Sequence, residues 1–81
     1  MSIVKKYLTD KNIPFTEIEN RNEIEIQTEI KGIRCIIRNS KIVNYETYTK
    51  IGSYEAKNQS QAYIIKLLER VRNGERLSLN Y

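Results

Sequence analysis

Glu23-Ile24-Glu25-Ile26-Gln27-Thr28-Glu29-Ile30-Lys31-Gly32-Ile33-Arg34-Cys35-Ile36-Ile37-Arg38 is the stretch on which the fold turns. From Glu23 to Ile30, Ile24, Ile26, Thr28 and Ile30 alternate with Glu23, Glu25, Gln27 and Glu29, the period of a half-buried strand. Lys31-Gly32 suits a two-residue hairpin loop, and Ile33, Cys35 and Ile37 resume the alternation on the return. With that loop, Ile30 faces Ile33, Thr28 faces Cys35 and Ile26 faces Ile37 on the inner side. On the outer side Glu29 faces Arg34 and Glu25 faces Arg38, and opposite charges directly across a strand pair are favourable. Two criteria resting on different residues select one register, and a slip of one residue would spoil both.

Working outward, Ser2 can cap a short helix running to about Asn12, with Ile3, Tyr7 and Leu8 on its apolar face and Lys5, Lys6 and Asp10 opposite. Asn12 and Pro14 end it, because a residue before proline avoids the helical region. Phe15 to Glu19 forms a first strand, closed by a polar turn at Asn20, Arg21 and Asn22. After the central hairpin, Asn39-Ser40 makes a tight turn and a fourth strand runs from Lys41 to about Tyr48. Gly52-Ser53 breaks the pattern before a last helix, capped by Asn58 with Gln61 reaching back. Its expected buried stripe is Gln61, Ile64, Ile65, Leu68 and Val71. Asn73-Gly74 stops it, with Arg70 and Arg72 in the last turn where the helix dipole favours cations. Leu77, Leu79 and Tyr81 alternate with polar residues, so residues 75–81 read as an added edge strand or tail. The prediction is an α+β single domain over residues 1–81, with an antiparallel four-stranded meander and an N-terminal and a C-terminal helix packed on one face (α-β-β-β-β-α).

A chain of 81 residues has room for one modest core and for marginal stability. Cys35 is the only cysteine and there is no histidine, so neither a disulfide nor a structural zinc site can reinforce it, and no cofactor or metal is expected. Association remains as the stabilising route. The longest apolar runs are pairs such as Ile36-Ile37, and Met1-Ser2-Ile3-Val4-Lys5-Lys6 is not a signal-peptide start. The expectation is a cytoplasmic protein with no membrane partner. Abundant Ile, Lys, Asn, Glu and Tyr with few Ala, Gly and Pro reflect AT-rich codon usage. In this style of composition, and in no motif, the chain resembles the small accessory proteins of phages or archaeal viruses, which implies the host cytoplasm.

Charge is unevenly spread: up to Ile30 acidic residues outnumber basic ones six to four, and from Lys31 onward basic residues lead ten to four. Arg34, Arg38, Lys41, Lys50 and Lys57 interleave there with Tyr45, Tyr48 and Tyr54. Cations beside stacking rings are what nucleic-acid surfaces use, although Glu29 and Glu25 already neutralise Arg34 and Arg38. A second feature is apolar residues on the outer face. Ile36 points outward opposite Gln27, and a two-residue Asn39-Ser40 loop places Val43 beside it with Tyr45 next along. Such a cluster reads as a partner surface unless a second helix covers that face or a bulge in that hairpin turns it inward.

Glu55-Ala56-Lys57, with Glu46 upstream and Gln61 on the following helix, resembles the carboxylate, Glu-x-Lys and glutamine arrangement of restriction-endonuclease-type nucleases. The resemblance implies that Glu46 and Glu55 would hold Mg²⁺ while Lys57 positions the attacking water. The chain departs from it where the metal-binding aspartate belongs, since Asp10 is its only aspartate, and no apolar strand leads into Glu55. Cys35 points inward with no histidine to activate it. No catalytic residue is therefore assigned. The sequence points to a non-enzymatic protein-protein interaction module, viral-accessory or inhibitor-like, pairing with itself as a homodimer or with a host protein through Ile36, Val43 and Tyr45. The alternative is a nucleic-acid-binding protein using Arg34, Arg38, Lys41, Tyr45, Lys50, Tyr54 and Lys57.

Overall fold

The computed structural model describes residues 2–38, 41–55 and 61–75. Helix α1 (Ser2–Asp10) leads into strands β1 (Phe15–Asn20), β2 (Glu23–Ile30), β3 (Ile33–Arg38), β4 (Lys41–Glu46) and β5 (Thr49–Glu55), and helix α2 (Gln61–Arg72) follows. The strands form one antiparallel sheet in the order β1-β2-β3-β4-β5. The α+β class and the meander agree with the sequence; the sheet has five strands rather than four. Among the described residues no helix is long and apolar enough to cross a membrane.

The central hairpin has the expected register, with Ile30 opposite Ile33, Thr28 opposite Cys35, Ile26 opposite Ile37, Glu29 opposite Arg34 and Glu25 opposite Arg38. Lys31 and Gly32 both have positive φ, 51° and 82°, the geometry of a type I′ turn whose twist matches that of the strands it joins.

The fourth strand stops at Glu46 instead of running to Tyr48, because Thr47-Tyr48 turns the chain, with Thr47 at φ 60°. Gly52-Ser53, expected to break the pattern, lies inside β5, where Gly52 faces Asn44 and Ser53 faces Val43. The sheet accommodates this by a register shift between Asn44 and Tyr45, which leaves Ile51 outside the regular pairing. Glycine within a strand commonly accompanies such a bulge.

Both helices cover the same sheet face. Val4 and Leu8 of α1 and Ile64, Leu67, Leu68 and Val71 of α2 form one buried cluster with Ile26, Ile30, Ile33, Cys35, Ile37 and Ile42. Two details depart from the predicted stripes. Ile3 is exposed while Val4 takes the inward position, and Leu67 is buried where Ile65 is only partly so. Ile3 and Val4 are neighbours about 100° apart around α1, and Ile65 and Leu67 stand about 200° apart around α2; the sheet beneath decides which of each pair is covered. The helices meet through the Tyr7 hydroxyl, which donates to Glu69 Oε1 at 2.6 Å; burial and that carboxylate push the Tyr7 ionisation upward. Lys5, expected on the free polar face, reaches Glu17 of β1 at 3.1 Å.

Both helices end in the same way. Asn12 N–H donates to Thr9 O and Ile13 N–H to Leu8 O; Gly74 N–H donates to Val71 O and Glu75 N–H to Arg70 O. With Asn12 at φ 57° and Gly74 at φ 96°, these are Schellman motifs that satisfy the last carbonyls of each helix. α1 accordingly ends at Asp10 rather than Asn12. The Asn39-Ser40 turn, the Asn58 cap, Lys57 and the tail with Leu77, Leu79 and Tyr81 lie outside the described residues.

A candidate interaction surface on the open face of the sheet

The side chains that point away from the helices follow from the register. One row across the sheet reads Ile18, Glu25, Arg38, Lys41, Glu55 from β1 to β5. The next reads Thr16, Gln27, Ile36, Val43, Ser53, with no charge in it, and the third reads Glu29, Arg34, Tyr45, Lys50 from β2 to β5. An uncharged band centred on Ile36 and Val43 thus runs between two charged rows.

Ile36, Val43 and Tyr45 are each half-buried by their neighbours on this face, and no described helix covers them. They line a shallow depression of about 260 Å³ together with Glu25, Arg38 and Lys41. The structure therefore brings together the three residues expected to form a partner surface. Ile18, 39% exposed, adds an apolar residue on the same face. Its signal was available in the alternation of Phe15, Glu17 and Glu19 with Thr16 and Ile18, which sends the two glutamates to the helix side and the isoleucine outward.

Polar contacts organise the charged rows. Arg38 Nε donates to Glu25 Oε1 at 2.6 Å and Gln27 Nε2 donates to Glu25 Oε2 at 2.5 Å. The Gln27 amide first, and the Arg38 guanidinium with it, hold the Glu25 carboxyl below the usual carboxylate range. Arg34 does not reach across to Glu29 as expected; its guanidinium stands over the Tyr45 ring, 5.0 Å from the centroid, a cation–π contact. Among the described residues the face carries four acidic side chains, Glu23, Glu25, Glu29 and Glu55, and four basic ones, Arg34, Arg38, Lys41 and Lys50.

The other residues singled out from the sequence do not converge there. Tyr54 faces Ile42 and packs against the core from the helix side, because the bulge resets the alternation along β5. Tyr48 is 89% exposed in the β4–β5 turn. Glu46 and Glu55 stand at opposite ends of the β4–β5 hairpin, Glu46 opposite Thr49 and Glu55 opposite Lys41, so the two carboxylates that the nuclease resemblance would join are kept apart. Among the described residues no group of three or more candidate ligands gathers at a metal-binding spacing. Cys35 is buried beneath the helices, and burial pushes its thiol up to about 12.

Fold and surface together define a class: an α+β meander with two helices on one face and, among the described residues, no element over the other. No protein-family model matches the chain, and searches of curated proteins and of solved structures gave no match.

Proposed function

We propose that the chain is a non-enzymatic protein-protein interaction module that self-associates through the open face of its sheet, in the manner of a small accessory or inhibitor protein. The observation that carries this reading is the apolar band of Ile36 and Val43, bordered by Ile18 and Tyr45, which no element among the described residues covers on the open face of the five-stranded sheet. An antiparallel sheet can leave one face to water, and such a face is then polar; a cluster of branched and aromatic side chains at its centre marks a contact surface. The charge balance of the face favours protein over nucleic acid. Surfaces that follow a phosphate backbone present a marked excess of cations, whereas among the described residues of this face four acids match four bases.

Five strands spaced ~4.8 Å and about six residues long at ~3.3 Å each give a footprint of roughly 480 Å² per copy. That is below the ~800 Å² per partner of a standard interface, so the dimer is expected to be reversible, at micromolar concentrations. Ile36 and Val43 are already half-covered, so each gains about 1 kcal/mol on docking.

Sedimentation equilibrium tests the reading. The wild type is expected to dimerise at tens of micromolar, the range set by the ~8 kcal/mol of a micromolar complex, and Ile36→Lys is expected to be monomeric with its fold intact by circular dichroism. A wild type that stays monomeric at several hundred micromolar would overturn it. So would an Ile36→Lys protein that still dimerises, or tight oligonucleotide binding that falls steeply with salt.

A further inference from the structure

Resting on that reading of the open face, the distribution of its charges also defines how a second copy sits. We propose that two copies pack sheet to sheet about a two-fold axis lying along β3, parallel to the strands, so that β2 of each copy faces β4 of the other and Glu25 meets the partner's Lys41.

The face is electrically divided. Its β2 side carries Glu23, Glu25 and Glu29, while β3 and β4 carry Arg34, Arg38 and Lys41. A two-fold contact sets the same patch against itself, so only an axis that exchanges the acidic and basic sides is favourable. An axis perpendicular to the strands, along the uncharged band, would put each strand on its own copy reversed. Glu25 would then meet Glu29 and Arg38 would meet Arg34, four like-charge contacts over the two halves against only two opposite ones, Glu55 with Lys50, at the β5 edge. A parallel axis on β2 would set its three glutamates against themselves. A parallel axis on β3 exchanges β2 with β4 and β1 with β5, keeps the uncharged band on itself and centres Ile36 on its own copy. The arginines nearest that axis are engaged within their own chain, Arg38 with Glu25 at 2.6 Å and Arg34 over the Tyr45 ring at 5.0 Å, which eases their approach to the partner's arginines. Sheets packed face to face cross at about 30°, so contact is tightest at Ile36 and thins towards the corners.

Asn22, exposed in the β1–β2 turn, reports the arrangement as an Asn22→Cys variant carrying a nitroxide spin label; buried Cys35 stays unlabelled. With sheets ~10 Å apart, the parallel axis puts the two label sites about 12–25 Å apart and the perpendicular axis puts them more than about 30 Å apart. Double electron–electron resonance on the dimer is expected to give the shorter distance. In parallel, Glu25→Lys and Lys41→Glu alone are each expected to weaken the dimer about tenfold or more, and the double variant to return to within about threefold of wild type. In the double variant Arg38 still has a carboxylate beside it, because residue 41 is its direct partner on β4. A dimer with labels beyond 30 Å, or a double variant no tighter than the single ones, overturns this arrangement and leaves the docking face standing. A chain that never dimerises removes both.

Discussion

Asn44 is fully buried on the helix side of β4, between Cys35 and Gly52 of the flanking strands, and among the described residues neither its Oδ1 nor its Nδ2 has a hydrogen-bond partner. A buried amide left unsatisfied forfeits about 1–3 kcal/mol of desolvation that nothing returns. Leucine has the same branching at Cγ and no polar atom, so Asn44→Leu should remove that penalty and add apolar burial to a core of only modest size. Allowing for the tighter fit of two methyl groups in a packed interior, the net gain is expected at about 1–3 kcal/mol. For a domain of this size each kcal/mol moves the melting temperature by about 4–8 °C, so Tm should rise by roughly 4–24 °C, with a higher urea midpoint and an unchanged m-value. Asn44→Ala serves as the control, since it removes the amide and leaves a void, and it is expected to fall between the two. If Asn44→Leu unfolds at lower urea than the wild type, the amide is satisfied in solution and the reasoning fails.

Three further outcomes follow from local geometry. Thr47 holds φ 60°, a conformation that a β-branched residue adopts only under strain, so Thr47→Gly should stabilise the chain by about 1 kcal/mol after glycine's own entropic cost, read as a rise in Tm. The Cys35 thiol ionises near 9 in the unfolded chain and is pushed up to about 12 by burial. Its contribution is fully present below 9 and is lost as pH rises towards 12, at a slope of up to about 1.4 kcal/mol per pH unit; Cys35→Ala should flatten that part of the urea-stability profile, and an unchanged slope would refute it. Reversing the charges at Glu25 and Arg38 together should restore most of the urea resistance lost in either single reversal, whereas additive losses would mean the pair does not act across β2 and β3. The same carboxyl, held below its ordinary range, contributes above its unfolded pKa and loses that contribution as pH falls through the folded value.

The β2–β3 hairpin was legible because its isoleucine alternation and its charge pairs rest on different residues yet demand the same register. From it the outward place of Ile36 followed, and the expected two-residue Asn39-Ser40 loop added Val43 and Tyr45 beside it. β5 was not legible, and the reason is chemical. The turn before it is Thr47-Tyr48, two residues that favour strands, while the one glycine nearby, Gly52, sits mid-strand opposite Asn44. The bulge then broke the two-residue period, which is why Tyr54 read as a surface ring when it packs on the core. The Asn44 amide was equally hidden, since an asparagine among strand residues gives no sign of lying beneath a helix. Arg34 was placed correctly opposite Glu29 but turned to Tyr45, a choice between two neighbours that register alone does not make.

The order of strands in space is also their order along the chain, and the turns before β2, β3 and β5 are only two residues long. Closing such short loops costs little chain entropy, so the sheet can zip up one hairpin at a time, each new strand finding an edge already formed beside it. The distant meeting is that of the helices, where Tyr7 reaches Glu69 across 62 residues of sequence. In that order of assembly, a sheet zipped before the clasp closes would have neither face covered by a helix. The helix-side isoleucines would then be the last to be sheltered, and a second copy arriving before the helices close could meet either face.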